Sequence, residues 1–126
     1  MVEVTVVIRE AGSTSPDYSL PFTLPEVPAR GSYLSICRPG DELYSEDLVV
    51  RDVWWRLKTP VSEAVSFSEP KPGSVIEIFV ECDVAEGPYS SDHWRDRVVG
   101  AARAKGHDVP VIPAARVSVR QDAFGG

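Results

Sequence analysis

The stretch Asp47-Leu-Val-Val-Arg-Asp-Val-Trp-Trp-Arg-Leu-Lys58 decides how the rest of the chain is read. It holds two of the three tryptophans and reads as the longest strand in the sequence. Side chains on a strand point alternately to opposite faces, so the stretch divides into two sets. Val49, Arg51, Val53, Trp55 and Leu57 are apolar apart from Arg51, and this set is expected on the core. Leu48, Val50, Asp52, Trp54, Arg56 and Lys58 begin apolar and turn polar, as in a strand that leaves a covered sheet centre for a solvated edge. Trp54 is thereby expected on the wetter face between Asp52 and Arg56, as a ligand platform or an interface anchor. The alternative is an indole packed under a loop, the later helix or the Arg56 stem.

Upstream, Val2, Val4, Val6 and Ile8 alternate with more polar residues and predict a first strand, and residues 11–17 form a turn by composition. Alternation resumes at Tyr18, Leu20, Phe22 and Leu24. Pro21 lacks the amide proton a ladder needs, so this second strand belongs at an edge or a bulge, hairpinned to the first. Pro25, Pro28, Gly31, Pro39 and Gly40 leave room for a short strand at 32–37, and residues 40–46 read as an acidic loop. Downstream, Pro60 ends the long strand, residues 64–68 suggest a short strand with Val65 and Phe67 inward, and residues 70–73 a turn. Residues 74–82 alternate strongly, with Ile76, Ile78, Val80 and Cys82 on one face and Glu77 and Glu81 on the other.

Val75 and Phe79 make that second face partly apolar, so something must cover it. A helix is the expected cover. Ser90 or Ser91 supplies its N-cap, Asp92 its acidic first turn and Gly106 its C-terminal stop. Trp94, Val98, Ala101, Ala102 and Lys105 fall at helical spacing between them. Two short strands, 108–112 and 115–120, follow around Pro113. The fold class is α+β, mainly β: an antiparallel sheet curled toward a small barrel, with one helix packed on it. The 126 residues make one domain, strand-rich over 1–83 and helix-bearing over 90–120, with a flexible tail at 121–126.

A formal charge of −6 argues against a general nucleic-acid or anionic-membrane binder, although Arg95, Arg97, Arg103 and Lys105 form a local basic group. No apolar run approaches the ~20 residues that span a bilayer. The chain opens on a strand pattern rather than a secretory signal, which predicts a cytoplasmic protein. Cys37 and Cys82 have no motif spacing. Free thiols are expected, a disulfide staying open if their strands are neighbours.

Residues 20–82 resemble small, uncharacterised bacterial β-barrel proteins in an edge strand ending in proline (Leu20 to Pro25), Val27-Pro28 with Gly31 nearby, a short strand, and a Val-x-x-Val-Trp strand (Val49 or Val50, then Val53-Trp54). The resemblance implies a barrel and no activity, since such barrels serve as binding scaffolds. The C-terminal helix, two short strands and Gly125-Gly126 resemble ubiquitin-like modifiers, whose terminal glycine carboxylate is adenylated. That resemblance implies a β-grasp-like core with an N-terminal extension, residues 47–58 and 74–82 as its first hairpin, and an adenylating (E1-like) enzyme as partner. The glycines would let a terminus thread a narrow enzyme channel.

Cys82, Asp83, Asp92, His93 and His107 invite a metal or Cys-His reading, yet the tight Cys-x-x-Cys or His-x-x-x-His pairs of zinc sites are absent. Asp41 and Glu42, or Glu77 and Glu81, are carboxylate pairs that read as solvated faces rather than acid–base dyads. No glycine-rich phosphate loop occurs. The sequence therefore points away from catalysis, a metal and a cofactor, and toward a protein-binding module with an unidentified protein partner, a homo-oligomer being compatible. Its surface is expected at Trp54, Asp52 and Arg56, joined by Tyr89 and Trp94 at the helix start. The rival readings are a modifier activated at Gly125 and Gly126, and a small enzyme or metal-binding protein.

Overall fold

The computed structural model describes residues 1–10, 16–38, 41–60 and 72–113, with backbone alone at 41–43. The strands are β1 (Val2–Arg9), β2 (Tyr18–Leu24), β3 (Tyr33–Arg38), β4 (Asp41–Lys58) and β5 (Ser74–Ala85). They form one sheet in the order β2-β1-β5-β4-β3. Among the described residues three of its four pairings are antiparallel, and β1 with β5 is parallel. The sheet curls into a half-barrel against one helix, as the α+β, mainly β reading expects. β1 and β3 flank the β4–β5 hairpin, so the leading residues belong to the sheet and are not an extension of a β-grasp core.

β4 is the longest strand, at 18 residues, but β5 is the middle of the sheet. The expected acidic loop before Asp47 is strand from Asp41 onward, paired with β3. β2 lies at the sheet edge, where Pro21, opposite Thr5, leaves no ladder bond to a further strand unmade. The expected strand at 108–112 reduces to one bridge, Glu86 with Val111. The strands expected at 64–68 and 115–120 lie outside the described residues.

The inner face of the sheet is built from Val4, Val6 and Ile8 of β1, Leu48 and Val50 of β4, and Ile78, Val80, Cys82 and Val84 of β5, all buried. Leu20, Phe22, Leu34 and Ile36 of the edge strands pack against them. This corrects the face expected for the long strand. Leu48 and Val50, not Val49 and Arg51, face the core, and the pairing shifts by one residue between Val50 and Asp52. Arg51 is the extra residue of a β-bulge, which resets the alternation. Beyond it Val53 and Trp55 stand opposite Val80 and Ile78 on the inner face, while Asp52, Trp54 and Arg56 stand opposite Glu81, Phe79 and Glu77 on the outer face.

Residues 94–104 form the single helix among the described residues, α1: a π-helical segment (Trp94–Val99) running into an α-helical one (Gly100–Ala104). Ser91 caps it, its hydroxyl accepting from the Trp94 amide at 3.2 Å. The Gly100 amide reaches back five residues to the Arg95 carbonyl, and this wider turn brings Trp94 and Val99 onto one buried side. The buried stripe is therefore Trp94, Val99 and Ala102, while Ala101 and Lys105 are exposed. The Trp94 indole N–H donates to the Ala85 carbonyl at 2.9 Å. The helix packs into the same cluster as the inner-face residues, rather than on the face of Val75 and Phe79.

Two buried carboxylates fasten what the sheet leaves open. Asp47 (2% exposed) accepts from the Tyr89 amide at 3.1 Å and the Ser90 hydroxyl at 2.9 Å, tying the loop after β5 to β4. Gly87 sits so close that a Cβ there would lie 2.6 Å from Asp47 Oδ2 and 3.1 Å from Ile112 Cδ1. Gly87→Ala is expected to lower the unfolding free energy by about 2 kcal/mol, read as a lower midpoint in urea with an unchanged slope.

The other carboxylate, Glu46, is fully buried on the inner face. It accepts from the Tyr18 hydroxyl of β2 and pairs with Arg38 of β3 at 2.9 Å, so the two edge strands meet on it and close the curl. The Arg38 guanidinium lies over the Tyr18 and Tyr44 rings, 5.7 and 5.2 Å from their centroids. Burial raises the Tyr18 phenol well above its ordinary value of about 10, and the hydrogen bond to Glu46 and the charge of Glu46 push the same way. A phenol raised in the folded state keeps its proton while the unfolded one ionises. Its stabilising contribution is therefore complete below pH ~10 and falls as pH rises from there. Tyr18→Phe, which has no proton to lose, is expected to show a shallower loss of stability above pH ~10 in urea melts at stepped pH.

Candidate functional site

β3 accompanies β4 as far as Val49, and among the described residues the last backbone hydrogen bonds on that side are the Gly31 amide to the Val50 carbonyl (2.8 Å) and the Val50 amide to the Ser32 carbonyl (2.9 Å). On the other flank β1 begins to pair with β5 at Thr5 and Phe79. Among the described residues the remainder of β4 and the start of β5 thus run on as a two-stranded ribbon. Its apolar side chains have little to pack on. Trp54 is 63% exposed, Trp55 49% and Leu57 67%, and Val75 and Ile76 are also exposed. Exposed apolar side chains gathered at one end of a domain are the usual mark of an interaction surface.

The outer face leading to this ribbon is ordered by charge. Arg51, which the bulge turns outward, places Nη1 3.0 Å from Asp83 Oδ1, Nη2 3.2 Å from Glu81 Oε2 and Nε 3.4 Å from Asp52 Oδ2. Arg9 adds a contact to Glu81 at 3.1 Å. Burial raises the Asp83 carboxyl above its ordinary value, with the Arg51 and Arg9 charges opposing that rise. This network stiffens the root of the ribbon. Beside it Val7, Trp54, Arg56, Phe79 and Glu81 line a shallow hollow of about 360 Å³. A second hollow of about 490 Å³ opens where β1 and β5 part, with Thr5 Oγ donating to Glu77 Oε2 at 2.9 Å in its wall.

The expected surface is brought together in part. Asp52, Trp54 and Arg56 share the outer face and are exposed. Trp94 is fully buried and anchors the helix, so it leaves the surface. Tyr89 is exposed but belongs to the Asp47 end of β4, seven residues and roughly 20 Å from Trp54. Trp55, expected in the core, joins the exposed ribbon on its inner face, because the ribbon runs past the helix that covers the rest. Gly125 and Gly126 lie outside the described residues. A lone arginine within an apolar alternating set was the one mark in the sequence of the outward-turned Arg51.

The groups weighed for metal or Cys-His chemistry do not converge. Among the described residues no three His, Cys, Asp or Glu side chains gather as a metal site. The His93 ring lies tilted against Tyr44, with ring centroids 5.5 Å apart, whereas His107 Nδ1 lies 2.7 Å from Glu10 Oε2 at the other end of the helix. Cys82 is buried on β5 and Cys37 exposed on β3, strands that are not neighbours, and both are free thiols. Burial, with the Asp83 charge behind it, pushes the Cys82 thiol up to about 12. In the folded protein Cys37 is expected to react with a thiol reagent at once and Cys82 only on unfolding, read by absorbance with and without denaturant.

Among the described residues no helix is long and apolar enough to cross a membrane. No family model, curated protein or solved structure matches the chain.

Proposed function

We propose that the chain is a non-catalytic protein-binding module whose contact surface is the outer face of the β4–β5 ribbon. Trp54 is its anchor, Asp52 and Arg56 are its polar flanks, and the hollow against Val7, Phe79 and Glu81 lies beside them. The observation that carries this reading is the 63% exposure of Trp54 on a strand tied to β5, on the same face, by the Arg51 network. A large aromatic held in place on a rigid element loses little conformational freedom on binding, and tryptophan and arginine are the residues that most often dominate interface energies.

The test is affinity capture with the intact chain, then reconstitution with the captured protein purified and titrated by calorimetry. Trp54→Ala is expected to weaken direct binding by about 2 kcal/mol without changing the unfolding midpoint. Equal affinity of the wild type and Trp54→Ala for that partner would remove the reading.

A further inference from the structure

We infer that the partner this surface fits is a second copy of the chain, paired edge to edge and antiparallel along β4 about a two-fold axis through Trp54. The inference rests on the protein-binding reading and names the partner. Its first support is the open edge. Past Val50 no described residue pairs with β4 on the β3 side, and a bare strand edge is a template for another strand.

The second support is the direction of the main-chain groups. Val50 turns both of its groups toward β3, since its amide donates to Ser32 and its carbonyl accepts from Gly31. The bulge sets Arg51 and Asp52 together opposite Glu81, so alternation resumes with Val53 and Trp55 turned to the open edge. With the axis at Trp54, Val53 of one copy meets Trp55 of the other and exchanges two hydrogen bonds with it. Symmetry repeats the exchange on the far side. Trp54 then faces Trp54 in the non-hydrogen-bonded position, where side chains approach most closely.

The third support is charge complementarity in that same register. Asp52 of each copy stands opposite Arg56 of the other on the outer face, two opposite-charge pairs flanking a tryptophan pair. Arg56 enters none of the ion pairs among the described residues, and Asp52 only the 3.4 Å contact to Arg51. The unpaired side of β5 offers no such match, because its only charged residue from Ser74 to Ile78 is Glu77. On the inner face the pairing covers Trp55, which the helix leaves exposed.

The test is register-specific cross-linking of the full chain with the exposed Cys37 changed to serine. Trp54→Cys, at the axis, is expected to give a disulfide dimer on mild oxidation, because facing positions bring the two Cα atoms within bonding range. Asp52→Cys and Arg56→Cys are each expected to form no intermolecular disulfide alone and to cross-link when mixed. In sedimentation equilibrium, Asp52→Arg or Arg56→Asp alone is expected to weaken the dimer about tenfold or more, and the double variant Asp52→Arg/Arg56→Asp to restore it.

A wild-type chain that is monomeric into the hundreds of micromolar overturns the inference, as does a dimer indifferent to both charge reversals. Cross-linking through Trp55→Cys in place of Trp54→Cys overturns the register. A monomer that still binds its captured partner through Trp54 would sink the inference and spare the binding reading. Loss of neither association in Trp54→Ala would sink both.

Discussion

Trp94→Ala is expected to lower the unfolding free energy by about 3–5 kcal/mol, the range for emptying a fully buried aromatic site. The indole is completely buried, meets Tyr44 edge-on with ring centroids 6.5 Å apart, and donates to the Ala85 carbonyl at 2.9 Å. It is the largest side chain that α1 sends into the core, accompanied only by Val98, Val99 and Ala102. Truncation leaves a void beneath the helix and an Ala85 carbonyl without its donor. Against a total stability of 5–15 kcal/mol for an ordinary domain, that loss brings the chain near unfolding at ambient temperature. Trp94→Phe keeps most of the volume and loses the N–H, so it should fall well short of the alanine variant. Urea unfolding of the pair separates packing from the hydrogen bond.

Asp47→Ala is expected to cost about 3 kcal/mol, because two hydrogen bonds to a buried charge are lost together. The Tyr89 amide and Ser90 hydroxyl would be left facing an apolar methyl. The Ser90 hydroxyl also accepts from the Gly87 amide at 2.9 Å, so the whole turn from Gly87 to Ser90 loosens at once. Ser91 caps the helix immediately after it, and the damage should therefore spread into the first turn of α1. Asp47→Asn retains an acceptor oxygen and is expected to lose less. Amide exchange should show the difference directly, with faster exchange at Tyr89 and Trp94 in the alanine variant than in the asparagine one.

Much of the fold was legible because its signals are local. The alternation of Val4, Val6 and Ile8 and of Ile78, Val80 and Cys82 marked strands whose inner faces are buried as expected, while Val2 is half-buried and Ile76, expected with them, is exposed. Pro21 placed β2 at an edge, and Ser91 and Gly106 bounded the helix, Gly106 with a φ of 87° that suits glycine. The long strand was misread in phase because a bulge is set by pairing partners, not by the strand that carries it. Arg51 has Glu81 and Asp83 to reach for on β5, thirty residues and more away in sequence. The same limit explains Glu46 and Asp47. Glu46 read as the end of an acidic loop and Asp47 as the start of the strand, whereas each is buried against partners from distant segments: Tyr18 and Arg38 for one, Tyr89 and Ser90 for the other.

For the site, strand parity placed Trp54 with Asp52 and Arg56 and was right for that set, since all three lie beyond the bulge. Parity failed for Trp55 for a different reason. It lies on the inner face, but inner means buried only where something lies across it, and no periodicity reveals how far a helix extends over a sheet. Trp94 shows the converse: an aromatic at a helix start reads equally as anchor or core, and its partner carbonyl at Ala85 decided the matter.

The pairing proposed above makes the projecting end of β4, residues 53–57, the edge at which two copies of the chain meet. Residue-resolved amide exchange of the wild-type chain, followed from dilute to concentrated solution, tests it most directly. Protection is expected to grow with concentration at Val53 and Trp55, whose amides face the open side, with Trp54 and Arg56 unchanged because theirs face β5. Exchange at Val53 and Trp55 that is fast at every concentration, or protection confined to the Tyr89 end of the strand, would contradict it.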